Sequence, residues 1–562
     1  MNHTLKNTSF CSLLCLFVTN LLLASLPAFA QQAQMPLDQV YNYRLERHLN
    51  KPGVGFHTAM KPYLESEVLP FIPSYESNLM GIPAYSNYLN AIEDTGSVVA
   101  ILPYKPGIGF NFRRGDLIQF QKEKVYIGIN PLVDAVGGYD LREKSTLFSA
   151  QYGAHLTAHF GRKVSAGFSY RGIAEQPMDY IARIAEDREV LPGFSKATFD
   201  GELIRSKDFN GYVSFTPVKY FNMQAGYGRH FWGDGYRSMF LSDHAPSYPY
   251  LLMNANIWRI KYSYLFNVMQ SANPTDIAGK FDFQTKYGVF HMLSVDVARW
   301  FQFSFFEGVV WEAADSTGRR GIEVNYLNPV VFLRPVEFAV GSPDNITLGV
   351  NLKFKADDKA VFYTQLLLDD LDIKKARAGR GFYRNKFAWQ AGIKTYNMLN
   401  IPMLDFQAEM NLVRPYVYAH KTPEQNYTHM NMPLAHPLGA NFMELLAILR
   451  YEKKGWYGLA KLQYARQGRD DIGQHNGSNI YVSDFLISPN LDVAYNNKFL
   501  QGVSTRIVNA ELRGGYLLNP RTNLSIEAIL NYRKLSSELE NQDNLFFGGG
   551  LRCNIFNRYR DF

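Results

Sequence analysis

FSAQYGAHLTAHF, residues 148–160, alternates without a break. Phe148, Ala150, Tyr152, Ala154, Leu156, Ala158 and Phe160 fall on one side, and Ser149, Gln151, Gly153, His155, Thr157 and His159 on the other. Successive side chains of a strand point to opposite faces, so a period of two marks a β-strand with one apolar and one polar side. Thirteen residues exceed the usual globular strand and suit one tilted across a bilayer.

The pattern recurs along the chain. Val164 to Tyr170, Phe221 to Tyr227, Ile346 to Phe354, Phe387 to Ile393, Leu404 to Leu412 and Leu524 to Tyr532 all carry apolar residues at every second position. Short links such as Gly161-Arg162 and Glu452-Lys453-Lys454 alternate with long polar connections at 172–207, 231–250, 312–344, 414–441 and 467–502. Short turns at one end and long loops at the other are the arrangement of an outer-membrane barrel. About seventeen candidate strands can be counted, and single-chain bacterial barrels close with an even number. The expected fold is therefore all-β, a transmembrane antiparallel β-barrel of about 18 strands with 16 as the alternative.

The N-terminus supplies the compartment. Lys6 is the only charge in residues 1–30, the apolar run spans Phe10 to Leu23, and Ala28-Phe29-Ala30 is an A-x-A cleavage site. The chain is expected to divide into a cleaved signal peptide (1–30), an N-terminal periplasmic or lumen-associated segment (31–120) and an outer-membrane barrel with long loops (121–562). Residues 41–49 and 174–191 have helical character. Cleavage would leave Cys553 as the single cysteine, so no intramolecular disulfide is expected. It would also lower the net charge from +7 to +6, which over this length implies no nucleic-acid partner.

The composition agrees once the alternation is known. A mean hydropathy of −0.21 averages a lipid-facing side against a polar lumen. The 40 Phe, 36 Tyr and 6 Trp are what aromatic girdles at two membrane interfaces require. The chain ends in Phe562 after the alternation Leu551, Cys553, Ile555. A terminal aromatic on an amphipathic last strand resembles the signal read by the barrel-assembly machinery, which is an expected partner together with outer-membrane lipid.

GRHFWGDGYRSMFLSDHAPSYP, residues 228–249, resembles the corresponding stretch of the Wzi-like capsule assembly barrels. Its Gly-Asp-Gly-Tyr-Arg-Ser portion is most similar to a Bacteroidetes branch that includes the gliding-motility protein RemB. Asn325 to Pro329, Arg334 to Glu337, Ser342 to Asn345, Tyr363 to Gln365 and Tyr427 to Glu444 continue the likeness in order. The resemblance implies a non-catalytic barrel for assembly or surface attachment of polysaccharide, acting as a lectin-like anchor in the capsule branch and at the cell surface in the gliding branch. A porin-like or transport channel, or a barrel of a secretion or motility complex, is the alternative.

Two sets of residues are candidates for function. Arg229, Trp232, Asp234, Tyr236, Arg237 and Asp243 combine aromatic faces for stacking on sugars with groups that bond hydroxyls or carboxylates. They serve equally well in a loop that folds inward as a plug or constriction. Glu307, Asp405, Glu409, Glu511, Arg513 and Glu527 are expected on lumen faces, as ion pairs across a wet interior or as charges tuning a permeation path. Catalysis is not expected. No nucleophile elbow, His-Glu-x-x-His or P-loop occurs, and His155 and His159 on one strand stand about 13 Å apart. No metal or cofactor is expected.

Overall fold

The computed structural model describes residues 33–71, 107–110, 116–122, 124–161, 163–273, 282–315, 318–328, 344–370, 373–471, 473–484, 494–519, 524–553 and 556–562. The expected signal peptide, the Arg334 to Glu337 stretch and most of 72–115 lie outside them. The FSAQYGAHLTAHF stretch sits inside one unbroken strand, the second of eighteen. In chain order these are β1 Val125–Asp140, β2 Ser145–Phe160, β3 Val164–Gln176, β4 Leu203–Val218, β5 Phe221–Gly228 and β6 Tyr248–Ile257. Then come β7 Ile260–Asn273, β8 Asp282–Ala298, β9 Phe301–Glu312, β10 Asn345–Ala356, β11 Ala360–Asp370 and β12 Lys386–Thr395. The circuit ends with β13 Leu404–Val413, β14 Phe442–Lys453, β15 Trp456–Arg469, β16 Val503–Asn519, β17 Leu524–Ser536 and β18 Asn541–Cys553.

Each strand pairs antiparallel with its neighbours, and β18 closes the ring on β1. Closure removes the open edge that a bilayer cannot hydrate. The closing pair shares β1 with a hairpin. Residues 118–122 pair with Val125 to Ile129, whereas β18 pairs with Ala135 to Asp140. The expected segment boundary at 120 thus falls inside the strand Ile118–Lys122.

The apolar side of the alternation faces outward. Tyr152, Phe168 and Val213 are 58%, 49% and 55% exposed, while their sequence neighbours Ser169 and Ser214 are buried. Short connections such as 219–220, 258–259, 299–300 and 454–455 define the periplasmic end, and the loops 177–202, 229–247, 313–344, 371–385, 414–441 and 470–502 define the extracellular end. Trp258, Trp300 and Trp456 stand exposed at the periplasmic rim, the place of an aromatic girdle.

Three segments turn into the barrel. Helix α1 (Gln39–Leu49) and the chain to residue 71 occupy the periplasmic half. The loops 229–247 and 414–441 fill the extracellular half. Residues 556–562, beyond β18, run up the inner wall. Helix α2 (Asp179–Arg188) covers the tail from the extracellular side. The helical pattern expected at 174–191 begins later, because β3 continues to Gln176. No helix among the described residues is long and apolar enough to cross a membrane.

The placement of Phe562 corrects the expectation for the last strand. β18 ends at Cys553. Phe562 is 7% exposed inside the lumen, edge-on to His244 at 5.2 Å between ring centroids. Ile555 lies outside the described residues, and residues 556–562 form a packed tail rather than wall. In the folded protein Phe562 therefore lies beyond the last strand and not at its end.

Candidate functional site

The loop 229–247 folds inward, and its candidate residues are engaged within the protein. Trp232 is buried. Its backbone pairs with Met60 of the N-terminal segment, and its ring meets Phe306 of β9 edge-on at 6.1 Å. Phe240 stacks on the same Phe306 at 4.6 Å. Around these rings Met239, Leu241, Tyr248, Phe290, Tyr418, Tyr427 and Leu434 form an apolar core in the extracellular half of the lumen. Gly235 lies so close to Glu409 and Gln390 that a Cβ there would sit 2.5 Å from a Glu409 carboxylate oxygen.

Asp234 joins the loop to the N-terminal segment and the wall. Its carboxylate accepts from Thr58 Oγ1 at 2.5 Å and Asn351 Nδ2 at 2.9 Å, and faces Lys353 Nζ at 3.6 Å. Burial raises its pKa, but Lys353, Lys61 and these hydrogen bonds outweigh that and hold it well below the usual carboxylate range. Below it, Glu46 of α1 pairs with Lys61 at 3.0 Å and with Lys394 of β12. Arg47 pairs with Asp405, and Arg44 with Glu452 at 2.8 Å. The N-terminal segment is thus tied to the wall by charge, with Tyr43 packed against Val361 and Tyr396 beside these pairs.

Arg237 is the hub of the upper lumen and is 1% exposed. Its Nη2 donates to Glu444 of β14 at 3.1 Å and to Asp561 of the tail at 3.0 Å. Asp561 also takes Lys461 Nζ at 2.8 Å and the Tyr236 hydroxyl at 2.8 Å. Asp243 accepts from Tyr559 and Asn557, both at 2.7 Å. Arg229 pairs with Asp208 of β4 at 3.0 Å. Arg558 and Arg560 of the tail converge on Glu175 of β3. Buried charges are tolerated only with partners like these.

Of the six loop candidates, five are buried and Tyr236 alone is half-exposed. Tyr236 lines a cavity of about 160 Å³ between the tail and the wall, with Lys461, Glu511, Arg513, Arg552 and Arg558. Asp405, Glu409, Glu511, Arg513 and Glu527 lie on inward faces. Glu511 pairs with Arg513 at 2.9 Å, and Glu409 accepts backbone N–H bonds from Tyr236 and Arg237 at 2.7 and 3.1 Å.

Glu307 is a correction. It pairs across strands with Leu348 and His291, on the outward side of β9 with Val309 and Trp311, and is buried there. The inward side of β9 carries Gln302, Ser304, Phe306 and Val310. Phe301, Phe303 and Phe305 alternate with Gln302 and Ser304, but Phe306 and Val310 pack against the plug, so from Phe306 on both sides of the strand are apolar and the phase is lost before Glu307.

Sequence reasoning did not single out Glu46, Thr58, Lys61, Glu175, Lys353, Lys394 or Asp561. Lys353 and Lys394 were visible as cations on polar strand sides. Their partners lie hundreds of residues away and leave no local signal. Among the described residues no group of three or more His, Cys, Asp or Glu could hold a metal ion.

Comparison with known proteins agrees with this architecture. The family described as capsule assembly protein Wzi matches residues 140–503. Among solved structures, Escherichia coli Wzi, described as an outer-membrane protein involved in group 1 capsule assembly and a carbohydrate-binding β-barrel, superposes with a TM-score of 0.52 at 11% identity, covering 92% of this chain and 98% of that one. Pseudomonas aeruginosa OprD gives 0.40 at 10% identity over 76% of this chain and 94% of its own, and OpdK from the same organism 0.41 at 9% over 75% and 97%. No curated protein matches the sequence.

Proposed function

Because this chain belongs to the Wzi family of capsule assembly proteins, an outer-membrane barrel, we propose that it attaches or assembles polysaccharide at the cell surface without catalysis and without conducting solute. The observation that carries the reading is the filled lumen. An apolar core closes the extracellular half, ion pairs lock α1 across the periplasmic half, and the tail runs between them. A solute channel needs a continuous polar path, and this interior is packed. Polysaccharide then meets the extracellular loops, which the buried Arg229, Trp232, Asp234, Arg237 and Asp243 hold from beneath. These residues act as scaffold, and Tyr236 borders the charge-lined cavity.

The test pairs two measurements. Purified barrel in planar bilayers is expected to be silent, and a deletion strain is expected to shed capsule or exopolysaccharide into the medium. A stable ohmic conductance would favour the porin reading instead. Unchanged surface-glycan staining in the deletion strain would remove the attachment role. The similarity of Gly233 to Ser238 to the gliding branch supports surface spreading as a second readout in the same strain.

A further inference from the structure

A second concave surface lies on the outside of the wall, remote from the lumen. It is a groove of about 690 Å³. Val350, Leu366, Trp389 and Leu412, outward residues of β10 to β13, form its floor, and Phe499 from the loop above overhangs it. Arg414 borders its extracellular end.

Arg414 is out of place by ordinary rules. In β13 the even positions face outward, and Arg414 continues that parity one step past the strand. A guanidinium beside lipid requires an anion or a path to water. Its plane lies 5.5 Å from the Phe387 ring centroid. Its Nε is shielded from solvent with no hydrogen-bond partner, and no carboxylate among the described residues pairs with it.

The loop above the groove carries matching charge. Lys374, Lys375, Arg377, Arg380 and Arg384 all lie there at the surface, and Arg384 is paired with Asp370. The loop is rigidly built. Tyr383 N donates to Ala494 O at 3.0 Å, Asn496 N to Arg380 O at 2.7 Å, and Asn497 N to Gly381 O at 2.9 Å. Phe382, Tyr383 and Tyr416 pack with Ala494 and Tyr495 into a small cluster of their own. The segment bearing Phe499 and the basic loop are therefore one unit.

We propose that this groove binds a phosphorylated, acylated glycolipid of the outer leaflet. An acyl chain lies along Val350, Leu366 and Leu412 beneath Phe499. A headgroup phosphate takes the N–H edge of Arg414, since guanidinium bonds phosphate bidentately in its own plane. Lys374, Arg377 and Arg380, exposed on the loop, face further phosphate or acidic sugar groups. A zwitterionic phospholipid would neutralise Arg414 but leave the loop unmatched, and an apolar protein partner would leave both unmatched.

The test uses the whole protein, stripped of lipid in neutral detergent, with native mass spectrometry as the readout. The probes are diphosphoryl lipid A, its dephosphorylated form, phosphatidylethanolamine and inorganic phosphate. One diphosphoryl lipid A is expected per barrel. Arg414→Gln should weaken it at least tenfold, Arg414→Lys less so, and Phe499→Ala severalfold. Lys374→Gln, Arg377→Gln and Arg380→Gln combined should abolish the preference over phosphatidylethanolamine. Heat-modifiable gel mobility confirms that each variant is a closed barrel. Equal binding by wild type and Arg414→Gln, or equal binding of phosphorylated and dephosphorylated lipid, would overturn the proposal. So would competition by inorganic phosphate as strong as that by the lipid, which would mark a bare anion site.

Discussion

Asp561 holds two cations with one carboxylate, Arg237 from the inward loop and Lys461 from β15. Both charges are taken out of water, so removing the acid exposes the cost of burying each cation. Breaking a buried pair by deleting one partner costs about 3–5 kcal/mol. Asp561→Asn is expected to release the tail and lower the thermal midpoint of plug undocking, whereas Asp200→Asn, on an exposed pair with Arg205, should change little. Limited proteolysis of the two variants side by side checks this, and equal protection would contradict it. Trp232 is the apolar counterpart. Truncation to Ala leaves a cavity between Met60 and Phe306 and should cost about 3–5 kcal/mol of plug stability. Because Trp232 is buried, polysaccharide binding by that variant should fall only in proportion to lost folded loop; a loss of binding with proteolytic protection intact would return Trp232 to direct contact.

The inward loops contain histidines that folding keeps neutral. Burial pushes His230 and His429 down to about 3 and His420 to about 4, and His244 falls well below its ordinary value for the same reason, with Arg188 and Arg237 adding to the effect. An undocked loop would titrate these near 6.5. Between the two values the undocked state binds more protons, so docking is fully stable above about pH 6.5 and weakens as pH falls below it. Each histidine contributes about 1.4 kcal/mol per pH unit in that window. Bilayers that are silent at pH 7.5 are expected to show openings near pH 4.5, fewer in His230→Phe. Silence throughout would mean that the plug does not move as these elements do. The elements also show what could be read beforehand. β2 separates lipid from a polar interior, where Ser149 meets Arg558 and His159 faces Glu65, so its residues sort by side and the strand was legible from FSAQYGAHLTAHF alone. β9 separates lipid from an apolar plug, so Phe305 and Phe306 give no phase and Glu307 was assigned to the wrong side. The inward fold of loop 229–247 was one of two readings, because the contacts that decide it, Thr58 with Asp234 and Asp561 with Arg237, join residues far apart in sequence.

For the whole molecule, the wall decides where it sits in the bilayer. Trp258, Trp300, Trp389 and Trp456 are exposed on the outside, while Trp232 and Trp311 are buried. In vesicles of brominated lipid the fluorescence of the first four is expected to be quenched and that of Trp232 and Trp311 retained; single-Trp variants resolve each, and an unquenched Trp300 would displace the periplasmic boundary. Strand number was legible because the alternation repeats along the chain, and the family because the stretch 228–249 and the patches after it carry a resemblance in order. The interior was not, because each inward contact occurs once. Closure at β18 and β1 has a further consequence. Gly548 and Gly549 face Gly138 and Gly137 there, and a Cβ on Gly550 would lie 1.9 Å from the Ala135 carbonyl oxygen. Over this length the two strands have no side chains to interlock, and bare backbone slips register most readily. The glycine run is therefore zipped by main chain and aligned from its ends, where Arg552 pairs with Asp134 at 3.3 Å and Asn544 donates to Asp140 at 3.2 Å, and from the tail, which leaves β18, enters the lumen and anchors Arg558 and Arg560 on Glu175 of β3 as a further latch on the tooth at which the zip closes. In a Cys553→Ser background, cysteines at Ala135 and Leu551 should cross-link efficiently, and Glu175→Ala should lower that yield by letting the final strand ride one step along its partner.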